Sequence, residues 1–397
     1  MKIQNLEIND VAGIQTVNLR FDERMNILCG PNGIGKTTIL ECCAHSFSVG
    51  ATSVLKSRAS PAGGPELKGS VKTSLKDGEK LSIVNLMVSQ HEPMKQSDPF
   101  GDHENAAFVL SLKTGRIFSY QALDAVRKDT AKTNTDLYDN IKNGVSSDDI
   151  KSWFVNRDLY STKDKSLSAE QLANFKLATQ CFAKLNDAFS FSHVGASSLD
   201  VYVNTPGGMI VHEYLSSGFK SCLVMLLGII KELELRFKDK KVEDIEAIVL
   251  IDEIELHLHP EWQGKIARVL IDIFPKIQFI VTTHSPHVIQ SAERNQIIAL
   301  QANGSFVVQR QLPESPYGFK GWTVDEVLTD VMGMADTRSE FFSKLQQEFN
   351  AALDARNKDR ATAAYKEIEK SLHPNNIESK LMRLQMTGTD WEANDQA

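Results

Sequence analysis

Apolar and polar positions alternate over residues 2–20, with Ile3, Leu6 and Ile8 and then Ile14, Val17 and Leu19 on the apolar phase. A period near two in such short runs predicts two strands joined across residues 9–13, each with one buried face. Met25-Asn26-Ile27-Leu28-Cys29 is a short apolar run and predicts a strand buried in a core. Beyond it Ile39, Leu40, Cys43 and Phe47 recur at helical spacing. Residues 57–65, rich in Ser, Pro, Ala and Gly, predict a loop. Residues 67–75 and 81–89 alternate on either side of Lys76-Asp77-Gly78-Glu79, and Asp-Gly between alternating runs is a hairpin signal. A second hairpin is expected over residues 108–120, turning at Thr114-Gly115.

From residue 121 to 188 the period becomes helical. Leu172, Phe175, Thr179, Phe182, Leu185 and Phe189 share one face, and residues 148–154 belong to an earlier helix. One such face is too short for a coiled coil, so a compact helical insertion is expected. Strands return at 199–204 and 209–212, joined by Thr205-Pro206-Gly207-Gly208, and at the apolar runs 248–251 and 279–281. After a strand pair at 297–300 and 305–309 the pattern is helical to the end. Thr323 and Glu326 form a T-x-x-E capping box, with Trp322 and Val327 placed as its hydrophobic staple. Val324, Val327, Leu328, Val331 and Met332 continue at helical spacing, followed by a helix with Phe342, Leu345 and Phe349 and by helices over 359–370 and 377–386. These changes divide the chain into 1–120, a helical insertion 121–190, 191–310, and a helical C-terminal region 311–397. No repeat of fixed period is visible.

A length of 397 residues suits one large α/β domain with additions, or two domains. The net charge of −7 gives no global basic footprint for nucleic acid, so any DNA contact must come from a local groove. The longest apolar run, residues 222–230, is too short to span a bilayer, and the N-terminal residues have no signal-peptide core. Cys29, Cys42, Cys43, Cys181 and Cys222 fall in predicted strands and helices without a C-x-x-C pair, as expected of buried thiols in a cytoplasmic protein with no membrane partner.

Candidate chemistry sits where strands end. Gly30-Pro31-Asn32-Gly33-Ile34-Gly35-Lys36-Thr37-Thr38 fits G-x-x-x-x-G-K-[ST] between a predicted strand and a predicted helix. That context aims backbone N–H groups and a helix N-terminus at a phosphate chain, with Lys36 as a point charge and Thr37 as a hydroxyl for Mg²⁺. The run 248–251 ends in Asp252 and Glu253, which suits a central parallel strand whose carboxyl end lies beside the phosphate loop. Asp252 is assigned to the metal and Glu253 to the attacking water; the plainer alternative is an acidic pair that merely closes a strand. His284, after the run 279–283, ends at the same sheet edge and could reach a phosphate or the water, although a lone histidine there is usually structural. Leu215-Ser216-Ser217-Gly218 precedes a long helix. It is either a simple N-cap or an anion-grasping helix start serving a neighbouring copy. His257, His259, His284 and His287 invite a zinc reading, but no cysteine accompanies them, and Pro260 suits the first turn of a helix carrying Trp262, Ile266, Val269 and Ile273.

These four stretches, in this order, resemble the ABC-class ATPase heads of the SMC, RecF and OLD (overcoming-lysogenization-defect) groups. By that resemblance residues 30–37 match the Walker A loop, 248–253 the Walker B strand, 215–221 the signature and His284 the switch histidine. Ile254-Glu255-Leu256-His257-Leu258-His259-Pro260 is similar to the D-E-P-E-x-x-L-H-P run of the group, with Ile254 where proline is common and Phe219 where Glu or Gln is common in the signature. The resemblance implies an α/β P-loop head with N-terminal strands and hairpins, a helical insertion and a helical C-terminal region. It implies ATP and Mg²⁺ as cofactors and a homodimer or higher homo-oligomer sandwiching nucleotide, with Ser216 and Gly218 of one copy completing the site of the other. It also implies a Q-loop glutamine, for which Gln90 is the candidate.

The run from Gly321 and Trp322 to Met332 and Gly333 is similar to C-terminal segments of ATPases from bacterial anti-phage modules, in particular the Septu modules, where the ATPase acts with an HNH nuclease partner. An ATPase controlling a nuclease, with DNA as a further partner, is therefore the expectation. A RecF-like DNA-repair ATPase without a nuclease partner, and a nucleotide sensor with little turnover, are the alternatives. Nuclease chemistry in the chain itself is not expected: Asp325, Glu326 and Asp330 have the spacing of the solvated face of a capped helix.

Overall fold

The structure, a computed structural model, describes residues 1–59, 67–115, 120, 122–374, 376–389 and 391. It divides into two compact units, Met1–Gly333 and Met334–Ala397. The first begins with strands β1 (Lys2–Val11), β2 (Ile14–Arg20) and β3 (Met25–Cys29), helix α1 (Lys36–His45), the hairpin β4 (Gly69–Asp77) and β5 (Lys80–Val88), and β6 (Val109–Leu112). Helices α2 (Asn134–Asn143), α3 (Ile150–Ser161) and α4 (Ala169–Leu185) follow, then strands β7 (Ser190–Val194), β8 (Val201–Thr205) and β9 (Gly208–Val211), and the long helix α5 (Ser217–Arg236). The unit continues through β10 (Ile248–Ile251), α6 (Pro260–Gln263), α7 (Ile266–Ile273), β11 (Gln278–Thr282), α8 (Pro286–Ser291), β12 (Ile297–Asn303), β13 (Phe306–Gln309) and α9 (Val324–Glu326).

The central sheet runs β13-β12-β3-β11-β10-β6, parallel except for the antiparallel edge strand β13. Its middle strands are covered on both faces, and the period of two sorts their side chains between two cores. Met25, Ile27, Val249, Ile251, Phe279 and Val281 pack with α5 and the helical insertion. Leu28, Ile248, Leu250 and Ile280 pack with α1 and the antiparallel sheet β2-β1-β4-β5. In β1 the buried positions step from Ile3 to Leu6, and the odd spacing is absorbed by a register shift between Ile3 and Asn5 against β4. The Asp-Gly hairpin forms as expected: Asp77 pairs with Lys80, and Gly78 takes φ +58° at the turn.

Four local expectations are corrected. The run 108–112 supplies β6, which pairs in parallel with β10; the far arm of the expected hairpin, residues 116–119, lies outside the described residues, as do residues 60–66 of the expected loop. Helix α4 stops at Leu185, so Phe189 lies beyond it, and its buried face is formed by Phe175, Leu177, Ala178, Cys181, Phe182 and Leu185. The helix expected from Pro260 onward is broken at Gly264 and Lys265 into α6 and α7. The capping box of Thr323 and Glu326 forms in both directions. The turns after it are not regular α-helix, however, but a π-helical segment over Val327–Val331, closed by Met332 N–H donating to Val327 O.

The second unit contains helices α10 (Glu340–Asp354), α11 (Lys358–Ser371) and α12 (Ile377–Gly388). They enclose a small core of Phe342, Phe349, Ala352, Ala361, Ala364, Ile368 and Met382.

Candidate functional site

The phosphate-loop sequence is pinned at both ends by glycines in a left-handed conformation that strains any other residue. Gly30, directly after β3, has φ +142°, and a Cβ there would lie 2.5 Å from Leu300 O on the neighbouring β12. Gly35 caps α1 with φ +101°, where a Cβ would meet Ile14 Cδ1 at 2.9 Å. Asn32 and Gly33 are exposed between them, and Pro31 is half-buried. Lys36 is 5% exposed and donates to Gly30 O at 2.9 Å and Pro31 O at 3.1 Å. Burial pushes its ammonium below the usual lysine range, against the pull of Cys29, Glu255, Asp252 and Glu253. Thr37 is exposed in the first turn of α1, and Thr38 is half-buried next to it.

The acidic pair meets this loop from across the sheet. Asp252 N–H donates to Leu112 O on β6 at 3.0 Å, which extends the ladder one residue past β10. Its two carboxylate oxygens each lie 3.2 Å from Thr37 Oγ1, although 215 residues separate them in the chain. Thr282, the last residue of β11, donates its hydroxyl to Asp252 Oδ1 at 2.6 Å and accepts from Glu253 N–H at 2.7 Å. Glu253 turns away from the strand with φ +50°, a left-handed conformation uncommon outside glycine.

Glu255 joins the segment after β10 to the segment after β11. Its Oε2 accepts from Thr283 Oγ1 at 2.8 Å and its Oε1 from His284 N–H at 2.5 Å. His284 is thereby held by its backbone while its side chain is exposed. The signature stretch approaches from another side. Ser216 caps α5 by accepting from Phe219 N–H at 3.4 Å, Ser217 is exposed, and Gly218 is buried where a Cβ would lie 3.4 Å from His257 O. Ser221 Oγ donates to Leu256 O at 3.3 Å, so α5 is fastened to the run that follows Glu253. Neither Ser216 nor Gly218 makes a hydrogen bond to residues 30–38 among the described residues. Gln90 is also apart: its side chain accepts from Glu92 N–H at 3.3 Å in the loop after β5, with no hydrogen bond to Thr37 or Asp252 among the described residues.

Both departures from the family pattern have local explanations. Phe219 is a core residue, 4.9 Å from the Phe189 ring and edge-on to Trp262 at 5.8 Å. Ile254 donates its N–H to Thr282 O at 3.0 Å, a bond that proline could not make. His259 is the N-cap of α6, with Pro260 at its start, and His287 Nδ1 faces Gln290 Oε1 at 3.1 Å. Thr282 and Glu255 were missed as functional positions. Glu255 had a signal, a third acid two residues after Glu253; Thr282 had none, because a threonine at a strand end is ordinary.

A loop of glycine-directed N–H groups, a buried lysine, and a hydroxyl facing a carboxylate at the carboxyl ends of parallel strands define a P-loop ATPase head. Residues 25–290 match the family described as "AAA domain, putative AbiEii toxin, Type IV TA system". Septu protein PtuA of Bacillus thuringiensis is 42% identical over 390 residues, covering 97% of each chain. The chain belongs to the Septu PtuA family. The "Retron Ec83 probable ATPase" of Escherichia coli is 34% identical over 164 residues, covering 41% of this chain and 29% of that protein. Among solved structures, the SMC head domain from Thermotoga maritima aligns with a TM-score of 0.48 at 15% identity, over 79% of this chain and 100% of the other.

Proposed function

We propose that this chain is the ATP-binding and ATP-hydrolysing subunit of a bacterial anti-phage defence complex, controlling a partner nuclease through ATP-dependent dimerisation. The observation that carries the catalytic part is the convergence of Lys36, Thr37, Asp252 and Glu253, with Thr37 Oγ1 3.2 Å from both Asp252 oxygens. A hydroxyl and a carboxylate are hard oxygen donors and suit Mg²⁺, which when bound would offset charge on the β- and γ-phosphates. Residues 30–38 cradle the phosphates through backbone N–H groups at Gly30, Asn32, Gly33, Gly35 and Thr38, with Pro31 shaping the entry. Lys36 exchanges its two loop carbonyls for phosphate oxygens. Glu253 orients the attacking water and accepts its proton, and His284 hydrogen-bonds the transferring group. Gln90 would join only by moving from its present partner.

The exposed Ser216 and Ser217 at the start of α5 support a site completed in trans, with Ser216 and Gly218 of a second copy reaching the nucleotide. Near full-length kinship with Septu protein PtuA supports the defence role. In this reading an HNH nuclease is the protein partner and DNA the target of the assembly. The protein works in the cytoplasm; no described helix is long and apolar enough to cross a membrane.

The test is a pair of variants. Glu253→Gln should release no phosphate from Mg·ATP, bind a fluorescent ATP analogue as the wild type does, and shift towards dimer in sizing experiments. Lys36→Ala should lose nucleotide binding. Turnover intact in Glu253→Gln removes that residue from its role, and unchanged binding in Lys36→Ala removes the phosphate-loop reading. Co-expression with an HNH nuclease encoded beside it should give a co-purifying complex whose cleavage of DNA changes with ATP. A nuclease indifferent to ATP would refute the control step.

A further inference from the structure

One cation beside the phosphate loop has no part in the scheme above. Arg310 follows β13, and its N–H donates to Ala299 O at 2.7 Å. Ala299 is paired in register with Cys29, the residue just before Gly30. The side chain of Arg310 turns back over the sheet end. Nε donates to Gln301 Oε1 at 3.1 Å, and Nη1 donates to Thr329 O at 3.1 Å and Asp330 O at 2.8 Å. Those two carbonyls lie in the last turn of the π-helical segment Val327–Val331, where the end of a helix leaves carbonyls without intrahelical donors. Nη2 has no hydrogen-bond partner among the described residues. It points to Gly333, where an added Cβ would lie 3.0 Å from Nη2 and 3.3 Å from Pro31 Cγ. The guanidinium and Pro31 therefore both lie within van der Waals reach of one point beside Gly333. Gly333, with φ +77°, is also the last residue of the first unit.

We propose that Arg310 is a positioning residue that ties the occupancy of the phosphate loop to the segment 327–333. Its Nη1 holds the carbonyls of the π turn, and its Nη2 lies beside Gly333, close to Pro31 of the loop. The anion placed in the loop is a nucleoside triphosphate, so this inference rests on the nucleotide reading above. A triphosphate there attracts the guanidinium and restricts its motion, and a better fixed guanidinium holds Thr329 O and Asp330 O more tightly. The cation's field already reaches the base of the loop: with Lys36 it opposes the burial that raises the Cys29 thiol to about 12.

The experiment measures amide hydrogen exchange at residues 327–333 of the full chain, with and without Mg·ATP, beside a titration with a fluorescent ATP analogue. In the wild type Mg·ATP should slow exchange in this segment roughly fivefold. Arg310→Lys keeps the charge but cannot bridge Gln301 and both carbonyls. It should bind the analogue with a Kd within about threefold of wild type and show no exchange response. Arg310→Ala should also lose the response and weaken binding roughly tenfold, the scale of one charge-assisted contact. Gly333→Ala, which places a methyl against both Nη2 and Pro31, should lose the response with the Arg310 side chain intact. Exchange at 327–333 indifferent to Mg·ATP in the wild type, or a response that survives in Arg310→Lys and Gly333→Ala, overturns the inference. If ATP binds in a Lys36-dependent way without any response, this inference alone fails. If the wild type does not bind ATP, the nucleotide reading falls and takes this one with it.

Discussion

Thr282 is the most economical place to test how the catalytic edge is assembled. It is 1% exposed, and its hydroxyl makes two bonds with distinct jobs, one to Asp252 Oδ1 at 2.6 Å and one from Glu253 N–H at 2.7 Å. Thr282→Val keeps the shape and deletes both. A hydrogen bond to a carboxylate contributes about 1.5–3 kcal/mol, and a buried N–H left without a partner costs about 1–3 kcal/mol. The added methyl returns roughly 0.8 kcal/mol of apolar burial. The net expectation is a loss of about 3 kcal/mol, seen as a lower denaturant midpoint at unchanged slope for the first unit. Catalysis should suffer separately, because Glu253 sits at φ +50° and this bond is what holds its N–H. If Glu253 has the role proposed for it, a relaxed backbone there should lower kcat for phosphate release roughly 100-fold with KM for ATP nearly unchanged. Thr282→Ser retains the hydroxyl and should recover most of the rate. A Val variant that hydrolyses ATP at the wild-type rate would refute the argument that this hydroxyl positions Glu253.

Three further outcomes follow from the same geometry. Glu255→Leu removes both acceptors, for Thr283 Oγ1 and for His284 N–H, so kcat should drop about tenfold while ATP binding stays within about threefold; an unchanged kcat would detach His284 from turnover. His45, buried with Nδ1 donating to Glu41 O and Nε2 facing Thr52 Oγ1, has its pKa pushed down to about 4 by desolvation. The unfolded chain therefore binds a proton that the folded chain refuses, so this contribution is complete above pH 6.5 and is lost as pH falls towards 4, about 3 kcal/mol in all. His45→Gln should flatten that part of the acid-denaturation profile, and a profile unchanged between pH 6.5 and 4 would show that another group sets it. Glu234→Leu leaves the fully buried Arg157 without the carboxylate that accepts from its Nε at 2.8 Å and should cost about 3–5 kcal/mol, measured by the same denaturant midpoint. A shift below about 1 kcal/mol would mean that Asp129, which accepts from Arg157 Nη2 at 2.6 Å, and Asn156, which accepts from Nη1 at 2.9 Å, suffice for Arg157.

What was legible in the chain was chemistry whose parts lie close together in sequence. The phosphate loop carries its glycines, its lysine and its hydroxyl within nine consecutive residues, so spacing alone names it. The run 248–251 declares a strand covered on both faces because it is apolar at every position, and the capping box at Thr323 and Glu326 depends on a separation of three residues. Local rules determine such features, and the structure reproduces them. Where two local rules competed, tertiary packing decided: Phe189 left the helix to stack on Phe219, and the regular spacing after Thr323 became a π turn held by Arg310.

The meeting of Thr37 with Asp252, the hydroxyl of Thr282 between Asp252 and Glu253, and the carboxylate of Glu255 on the backbone of His284 could not be read from any stretch of sequence. Each joins segments that follow or end parallel strands and lie 28 to 215 residues apart. Those ends become neighbours only because β3, β11 and β10 lie side by side in parallel. Spacing along the chain singles out the residues proposed for phosphate chemistry. The parallel order of the sheet decided which of them meet, because a hydrogen bond depends on ångströms across strands and periodicity measures only distance along the chain.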